Sequence, residues 1–200
     1  AVSPPGGDFS EPVTQNTLRV VRVFWALDAD LAHARHFPAI NWLSSYSLYP
    51  EDVQGWWERR GEDDWSGMRG TMMSILQKES ELEEIVHLVG QDVLPEEDKL
   101  SLHIAEIIRE SFLIQSAFDP VDTFCSPEKQ YRMMRLITDY ARYGKEALAK
   151  GRTVAEIVAL PVGVRLIRLG SVENEAFTEY FEETEREMAA AFGESAGGET

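Results

Sequence analysis

The sequence predicts a mainly α-helical fold in which a C-terminal helical bundle domain follows the terminal segment of an α/β domain. Three observations carry this prediction. Apolar residues recur at helical spacing through most of the chain beyond residue 64. Prolines and a serine stand where helices are expected to begin, and glycines stand where they are expected to end. Residues 36–42 break the helical pattern and predict a strand end or loop, because a proline disfavours helical geometry in the residue before it.

The first part of the chain predicts a loop, a helix and a boundary. Residues 1–13 are rich in proline and glycine and indicate a loop from a larger domain, so that the chain is expected to begin in mid-domain. Apolar residues at helical spacing from residue 12 to about 35 predict one core-facing helix capped by Ser10. A domain boundary is expected between Tyr49 and Gly61, where Tyr49-Pro50 ends one element and a polar stretch follows.

The second part predicts a series of helices joined by short connections. In order, these are a helix over about 65–89 ended by Gly90, a helix whose first residue is Pro95, a non-helical connection over 116–125, a helix beginning at Pro127 that Ser126 caps and Gly151 ends, a short helix over 153–160, another from Pro161, and a last helix over 172–192. The small and polar residues 194–200 are expected to be disordered.

Composition excludes several classes of protein. A net charge of −16 over 200 residues argues against a nucleic-acid-binding surface, because contacts to phosphate backbones need clustered lysine and arginine. The most apolar stretch, residues 20–27, is short and contains Arg22, so no membrane span is predicted. The one cysteine, Cys125, excludes an intrachain disulfide framework and fits a cytoplasmic location.

The residues of common catalytic and metal sites are incomplete. Glu84 and His87 have the Glu-x-x-His spacing of di-iron bundles, but such sites need that motif twice, and Leu100 stands three residues before His103. Cys125 precedes a helix start, which can lower a thiol pKa, yet no histidine is near it in sequence, so a packed or merely accessible thiol is expected. No phosphate-binding loop motif occurs. We therefore assign no metal ligand and no catalytic residue.

Aromatic residues on predicted non-helical joints are the most distinctive feature. Phe37 precedes Pro38, and Phe118 and Phe124 flank residues 119–123. Aromatic faces on loops suit stacking against a planar ring such as a nucleobase. Spacing alone favours the alternative, in which these rings close the top of the helical core.

Ordered segments along nearly the whole chain carry a family resemblance. They are SPPGGDFSEPVTQ (3–15), FWALD (24–28), HFPAINW (36–42), SYSLY (45–49), EIVHLVG (84–90), AFDPVD (117–122) and CSPEK (125–129). Together they resemble the catalytic A subunits of archaeal-type and vacuolar-type rotary ATP synthases. The resemblance implies the end of an α/β nucleotide-binding domain over residues 1–55 and a C-terminal helical domain over 56–193, with the phosphate loop, catalytic glutamate and magnesium ligands upstream.

The resemblance also implies two sites. In this family and its F-type relatives, adenine lies against positions that match Phe37, Pro38, Ala117, Phe118 and Phe124. Residues 92–100 resemble the acidic DELSEED turn that touches the rotating stalk, which assigns rotor contact to Asp92, Leu94, Glu96, Glu97 and Asp98. The segment departs from that motif at Val93 and Pro95. Acids that merely complete a helix N-terminus are a fully compatible alternative, because they suit its dipole, although the resemblance favours rotor contact.

The implied function is that of the C-terminal part of a catalytic subunit that makes or hydrolyses ATP, coupled to proton or sodium transport. ATP or ADP with Mg²⁺ is expected in the full-length protein, and neither a bound cofactor nor activity is expected in the fragment alone. The expected partners are the B subunits, in an alternating hexamer, and the central stalk subunits. Neither nucleic acid nor direct membrane contact is expected, and the location is cytoplasmic, in the soluble head peripheral to the cell membrane. The alternative is a stand-alone acidic helical scaffold that binds no nucleotide.

Overall fold

The computed structural model describes residues 10–193, which form two compact units divided between Asp63 and Asp64. The predicted tail over 194–200 and most of the loop over 1–13 lie outside the described residues. The predicted domain limits, 1–55 and 56–193, stay a prediction. Residue 55 falls within a helix of the first unit.

The first unit combines short helices with a two-stranded antiparallel sheet. Its elements are α1 (Pro12–Leu18), β1 (Val23–Leu27), α2 (Ala29–His33), β2 (Ile40–Ser47) and α3 (Pro50–Glu58). Val23 pairs with Ser47 and Leu27 with Ile40, with an irregularity in β1 between Phe24 and Ala26.

The single helix expected over residues 12–35 is wrong. Residues 20–25 are mostly β-branched or aromatic, and such side chains favour a pleated strand once a partner strand is available. Asp28 then separates β1 from α2, because its Oδ1 accepts hydrogen bonds from the backbone N–H groups of Asp30 and Leu31. The Asn41 side chain donates to Asp28 Oδ2 at 2.9 Å and lowers the pKa of this carboxyl further than either backbone bond. The predicted Ser10 cap is also wrong, since Glu11 occupies the capping position of α1.

The second unit is helical throughout its regular structure. It contains α4 (Trp65–Val89), α5 (Glu96–Ile108), a π-helical turn (Arg109–Leu113), α6 (Pro127–Ala149), α7 (Val154–Val158), α8 (Pro161–Ile167) and α9 (Phe177–Gly193), with 3₁₀ turns at Gln91–Val93 and Leu169–Ser171. Its core lies between α4, α5, α6 and α9; fully buried members include Leu100, Ile104, Ile107, Ile108, Leu136, Ile137, Tyr140, Phe177 and Met188. The predicted mainly α fold is confirmed.

Local signals set the limits of most of these helices. Ser126 caps α6 by accepting from the Lys129 backbone N–H at 3.1 Å, and Gly151 follows the helix with a positive φ of 92°. Two starts differ from prediction: Pro95 caps α5 rather than opening it, and α9 begins at Phe177 rather than at residue 172. No helix within residues 10–193 combines the length and the apolar character that a membrane span needs.

Candidate functional site

The loop between the π-helical turn and α6 carries two of the predicted adenine-contacting rings. Carboxylates hold its shape: Asp119 Oδ1 accepts from the backbone N–H groups of Val121 and Asp122 at 2.8 and 3.1 Å. Asp122 Oδ2 accepts from the Ser116 N–H at 2.6 Å. Phe118 is fully exposed and Phe124 is 65% exposed. The loop is therefore folded by its own polar groups, which leave the rings at the surface.

The first unit carries the other aromatic of the predicted set. Phe37 is 51% exposed at the end of the connection between α2 and β2, and the Phe37–Pro38 peptide bond is cis. The neighbouring His36 is buried, with its ring 5.7 Å from that of Trp42. Phe37, Phe118 and Phe124 are thus surface rings, and none of them closes the helical core as spacing alone favoured. Their convergence on one nucleotide stays a prediction.

The exit of the loop depends on a residue that sequence analysis missed. The Asn174 side chain donates to the Phe124 carbonyl and accepts from the Ser126 N–H, both at 3.1 Å. Cys125, between these two points, is half-buried, and burial raises the pKa of its thiol. The half-burial of Cys125 agrees with the expected packed or merely accessible thiol. No local pattern marks Asn174, because it lies about fifty residues from its partners in sequence.

The predicted rotor-contact turn joins α4 to α5. Gly90 ends α4 with a φ of +83°, a conformation that favours glycine, and a 3₁₀ turn follows at Gln91–Val93. Leu94 is only 7% exposed and belongs to a buried cluster with Leu82 and Leu102, whereas Val93 is 67% exposed. Contact with a stalk through the Leu94 side chain is thus wrong for this conformation, since the side chain packs inward.

The acids of this turn have different roles. Glu96 accepts hydrogen bonds from the Val154 backbone N–H at 2.7 Å and from Lys99 at 3.0 Å, and these bonds lower its pKa, the Val154 bond most. Asp98 forms an ion pair with Lys78 at 3.2 Å. Asp92 and Glu97 are exposed. Glu96 therefore joins the start of α7 to α5, while Asp92 and Glu97 face solvent.

An acidic groove of about 820 Å³ lies beside the turn, between α4, α5 and α7. Asp92 and Glu96 line it, as do the buried Glu79 and the half-buried Arg109, which pair at 3.1 Å. Burial raises the pKa of Glu79, and the Arg109 charge opposes that rise. Among residues 10–193, no group of three or more His, Cys, Asp or Glu side chains is arranged to hold a metal ion.

His103 reaches from this groove into the core. Its Nε2 lies 3.2 Å from the Tyr140 hydroxyl oxygen, and that hydroxyl donates to the Ile157 carbonyl at 3.3 Å. Burial lowers the pKa of His103, and the Glu106 carboxylate acts in the opposite direction. Burial raises the pKa of Tyr140 to about 12, so the hydroxyl keeps its proton at neutral pH.

Comparison with known proteins identifies the family. Residues 54–158 match the family model described as the C-terminal domain of V and A type ATP synthase, and residues 1–47 match the nucleotide-binding domain of the ATP synthase alpha/beta family. The A subunit of the A-type ATP synthase of Methanopyrus kandleri is 55% identical over 194 residues, covering 97% of this chain and 33% of the relative. Its counterpart in Desulfurococcus sp. is 57% identical over 169 residues, covering 84% of this chain and 29% of the relative.

A solved structure shares the fold. The structure described as that of "a unique ATP synthase subunit NeqB from Nanoarcheaum equitans" has a TM-score of 0.56 at 24% identity, and the match covers 70% of this chain and 34% of that one. The chain spans about a third of the length of the two curated relatives named above. On these matches, the chain belongs to the V- and A-type ATP synthase family and carries the C-terminal domain of its A subunits.

Proposed function

We propose that the chain is the C-terminal part of a catalytic A subunit in a rotary ATP synthase, which makes or hydrolyses ATP coupled to proton or sodium transport. The observation that carries the proposal is 55% identity to the A subunit of an A-type ATP synthase along 97% of the chain. The full-length protein would supply the phosphate loop and bind ATP or ADP with Mg²⁺. The B subunits and the central stalk would be its partners in a cytoplasmic head attached indirectly to the membrane. The stand-alone scaffold is not favoured, because every relative given above is an ATP synthase subunit.

Within that assembly, Phe37, Pro38, Ala117, Phe118 and Phe124 would contact adenine. The exposure of the three phenylalanine rings supports this role, because a buried ring is not available for stacking. Stacking of a base on an aromatic side chain contributes about 1–3 kcal/mol in single-strand binders probed by alanine substitution. These residues would hold the base and set its position, while phosphoryl transfer depends on groups elsewhere in the full-length protein.

The test is Phe118→Ala in the full-length protein, assembled with its partners. We expect KM for ATP to rise roughly 5- to 150-fold, which corresponds to the loss of one stacking contact, with kcat little changed. Folding stability should change by less than about 0.5 kcal/mol, because the ring is fully exposed. Val164→Ala, an exposed apolar change in α8, is the matched control. An unchanged KM in both Phe118→Ala and Phe37→Ala would refute the adenine site.

For the stalk contact, we propose Asp92 and Glu97 as the charged groups that face the rotor. Their exposure and the acidic groove beside them support an electrostatic match to a basic stalk surface. The double change Asp92→Asn with Glu97→Gln should weaken stalk binding in the assembled complex by about 0.2–1 kcal/mol per pair, and more at low salt than at high salt. Glu175→Gln, at an exposed position before α9, is the control. Unchanged torque and unchanged stalk binding would contradict this role.

A further inference from the structure

We propose that Asn174 is a positioning residue for the adenine-contacting loop and that it sets nucleotide affinity without touching the nucleotide. This inference rests on the proposed function. The Asn174 carboxamide bonds the backbone on both sides of Cys125, through the Phe124 carbonyl and the Ser126 N–H. One rigid side-chain group therefore fixes two points of the main chain, and with them the direction in which the loop leaves Phe124.

The segment that carries Asn174 supports the loop at a second place. We call residues 170–174 the support segment. A Cβ on Gly170 would lie 3.2 Å from Asp122 Oδ1, so the support segment approaches the loop closely there. The other oxygen of Asp122 accepts from the Ser116 N–H and so ties the entrance of the loop to the same carboxylate. Gly170 thus faces the Asp122 side of the loop, and Asn174 holds its exit.

A buried lysine fixes the support segment to α6. Lys129 is 2% exposed, and its Nζ donates to the carbonyls of Gly170 at 2.9 Å and Val172 at 2.5 Å. The Lys129 backbone N–H donates to the capping hydroxyl of Ser126. The backbone N–H of the same serine donates to the Asn174 side chain. The loop exit, the first turn of α6 and the support segment form one hydrogen-bonded unit.

The rings depend on this unit for their direction. Phe118 is fully exposed and Phe124 is 65% exposed, so packing of the rings within the chain contributes little to their orientation. If the backbone at Phe124 and Ser126 is no longer held by Asn174, the fraction of molecules with correctly placed rings falls. The apparent dissociation constant rises as the inverse of that fraction. The groups that carry phosphoryl transfer are untouched, so kcat should be preserved.

The experiment measures KM and kcat for ATP with the full-length protein in its assembled complex. Asn174→Ala removes both hydrogen bonds and should raise KM roughly 5-fold or more, with kcat within about twofold of the wild type. Gly170→Ala disturbs the same loop from its Asp122 side and should give the same pattern, which keeps the test available if Asn174→Ala fails to assemble.

Thr178→Ala is the matched control. The Thr178 hydroxyl accepts from Arg132 at 2.5 Å, which links α9 to α6 without contacting the loop. Thr178→Ala removes one hydrogen bond between helices of the same unit and should leave KM unaltered. A KM rise of equal size in Thr178→Ala would show that general loosening is responsible and would overturn the inference.

A mutant cycle separates this inference from the proposed function. In a Phe118→Ala, Phe124→Ala background, Asn174→Ala should cause no further rise in KM, since the rings it positions are gone. If the ring changes raise KM but Asn174→Ala does not, or if its effect persists undiminished in that background, the positioning role is wrong and the adenine site stands. If the ring changes leave KM unaltered, the positioning role is wrong, and the adenine site is wrong as well if Phe37→Ala also leaves KM unaltered.

Discussion

Truncation of Leu94 tests which side of the α4–α5 turn faces inward. Leu94 is 7% exposed and packs with Leu82, Leu102 and the half-buried Val86. Leu→Ala changes at buried sites cost about 2–5 kcal/mol, because the lost transfer energy adds to the cavity left behind. In a domain whose total stability is about 5–15 kcal/mol, that is a large share. At about 2–4 °C per kcal/mol for a chain of this size, the expected fall in Tm is roughly 4–20 °C.

The assay is thermal unfolding of wild-type and variant chains, followed by far-ultraviolet circular dichroism of the helical signal. Val93→Ala is the matched control, because Val93 adjoins Leu94 but is 67% exposed and should change stability by less than about 0.5 kcal/mol. An equal fall in Tm in both variants, or a fall confined to Val93→Ala, would refute the inward placement of Leu94. Leu94 would then again be a candidate for contact with the rotor.

Three further predictions concern the second unit. Gly144→Ala should lower stability by up to about 2 kcal/mol, because crowding of its Cβ against the fully buried Leu100 side chain, 3.1 Å away, outweighs the gain in helix propensity. Gly70→Ala, with open space around it, should raise stability by up to about 1 kcal/mol in a thermal melt. Ser126→Ala should cost about 1 kcal/mol in denaturant unfolding, and Ser126→Gly only a few tenths of a kcal/mol. The folded-state pKa of His103 lies below its ordinary 6.5, so the unfolded chain binds more protons. Its contribution to stability is therefore present above pH 6.5 and lost as the pH falls towards the folded-state pKa, and the curve of stability against pH should be flatter for His103→Asn.

The helices of the second unit were predictable because their limits are set locally. Gly90 and Gly151 adopt positive φ values at the predicted helix ends, and Ser126 caps the helix that it was expected to cap. In the first unit, the strand over 23–27 was missed because its stability comes from pairing with residues 40–47, which the apolar spacing of either segment does not reveal. Over so few residues, the apolar pattern of a helix is difficult to distinguish from that of a short buried or half-buried strand.

In the candidate site too, features set by neighbouring residues were predictable and features set by residues distant in sequence were not. The loop positions of Phe37, Phe118 and Phe124 followed from neighbouring prolines and polar residues, and their exposure agrees with surface roles. The inward side chain of Leu94 could not be predicted from an acidic motif, because its burial depends on residues of α4 and α5 that pack around it. Asn174 was missed because its hydrogen bonds connect segments that are distant in sequence.

The length of α4 has a mechanical consequence. Twenty-five residues in one uninterrupted helix form a rod about 37 Å long, with its far end at the turn that begins at Gly90. Rotation of such a lever by roughly 5° about its Trp65 end would sweep the tip through about 3 Å, which is comparable to the rise of two helical residues. A small angular change at the Trp65 end of the helix is therefore amplified into a displacement of a few ångströms at the Gly90 end.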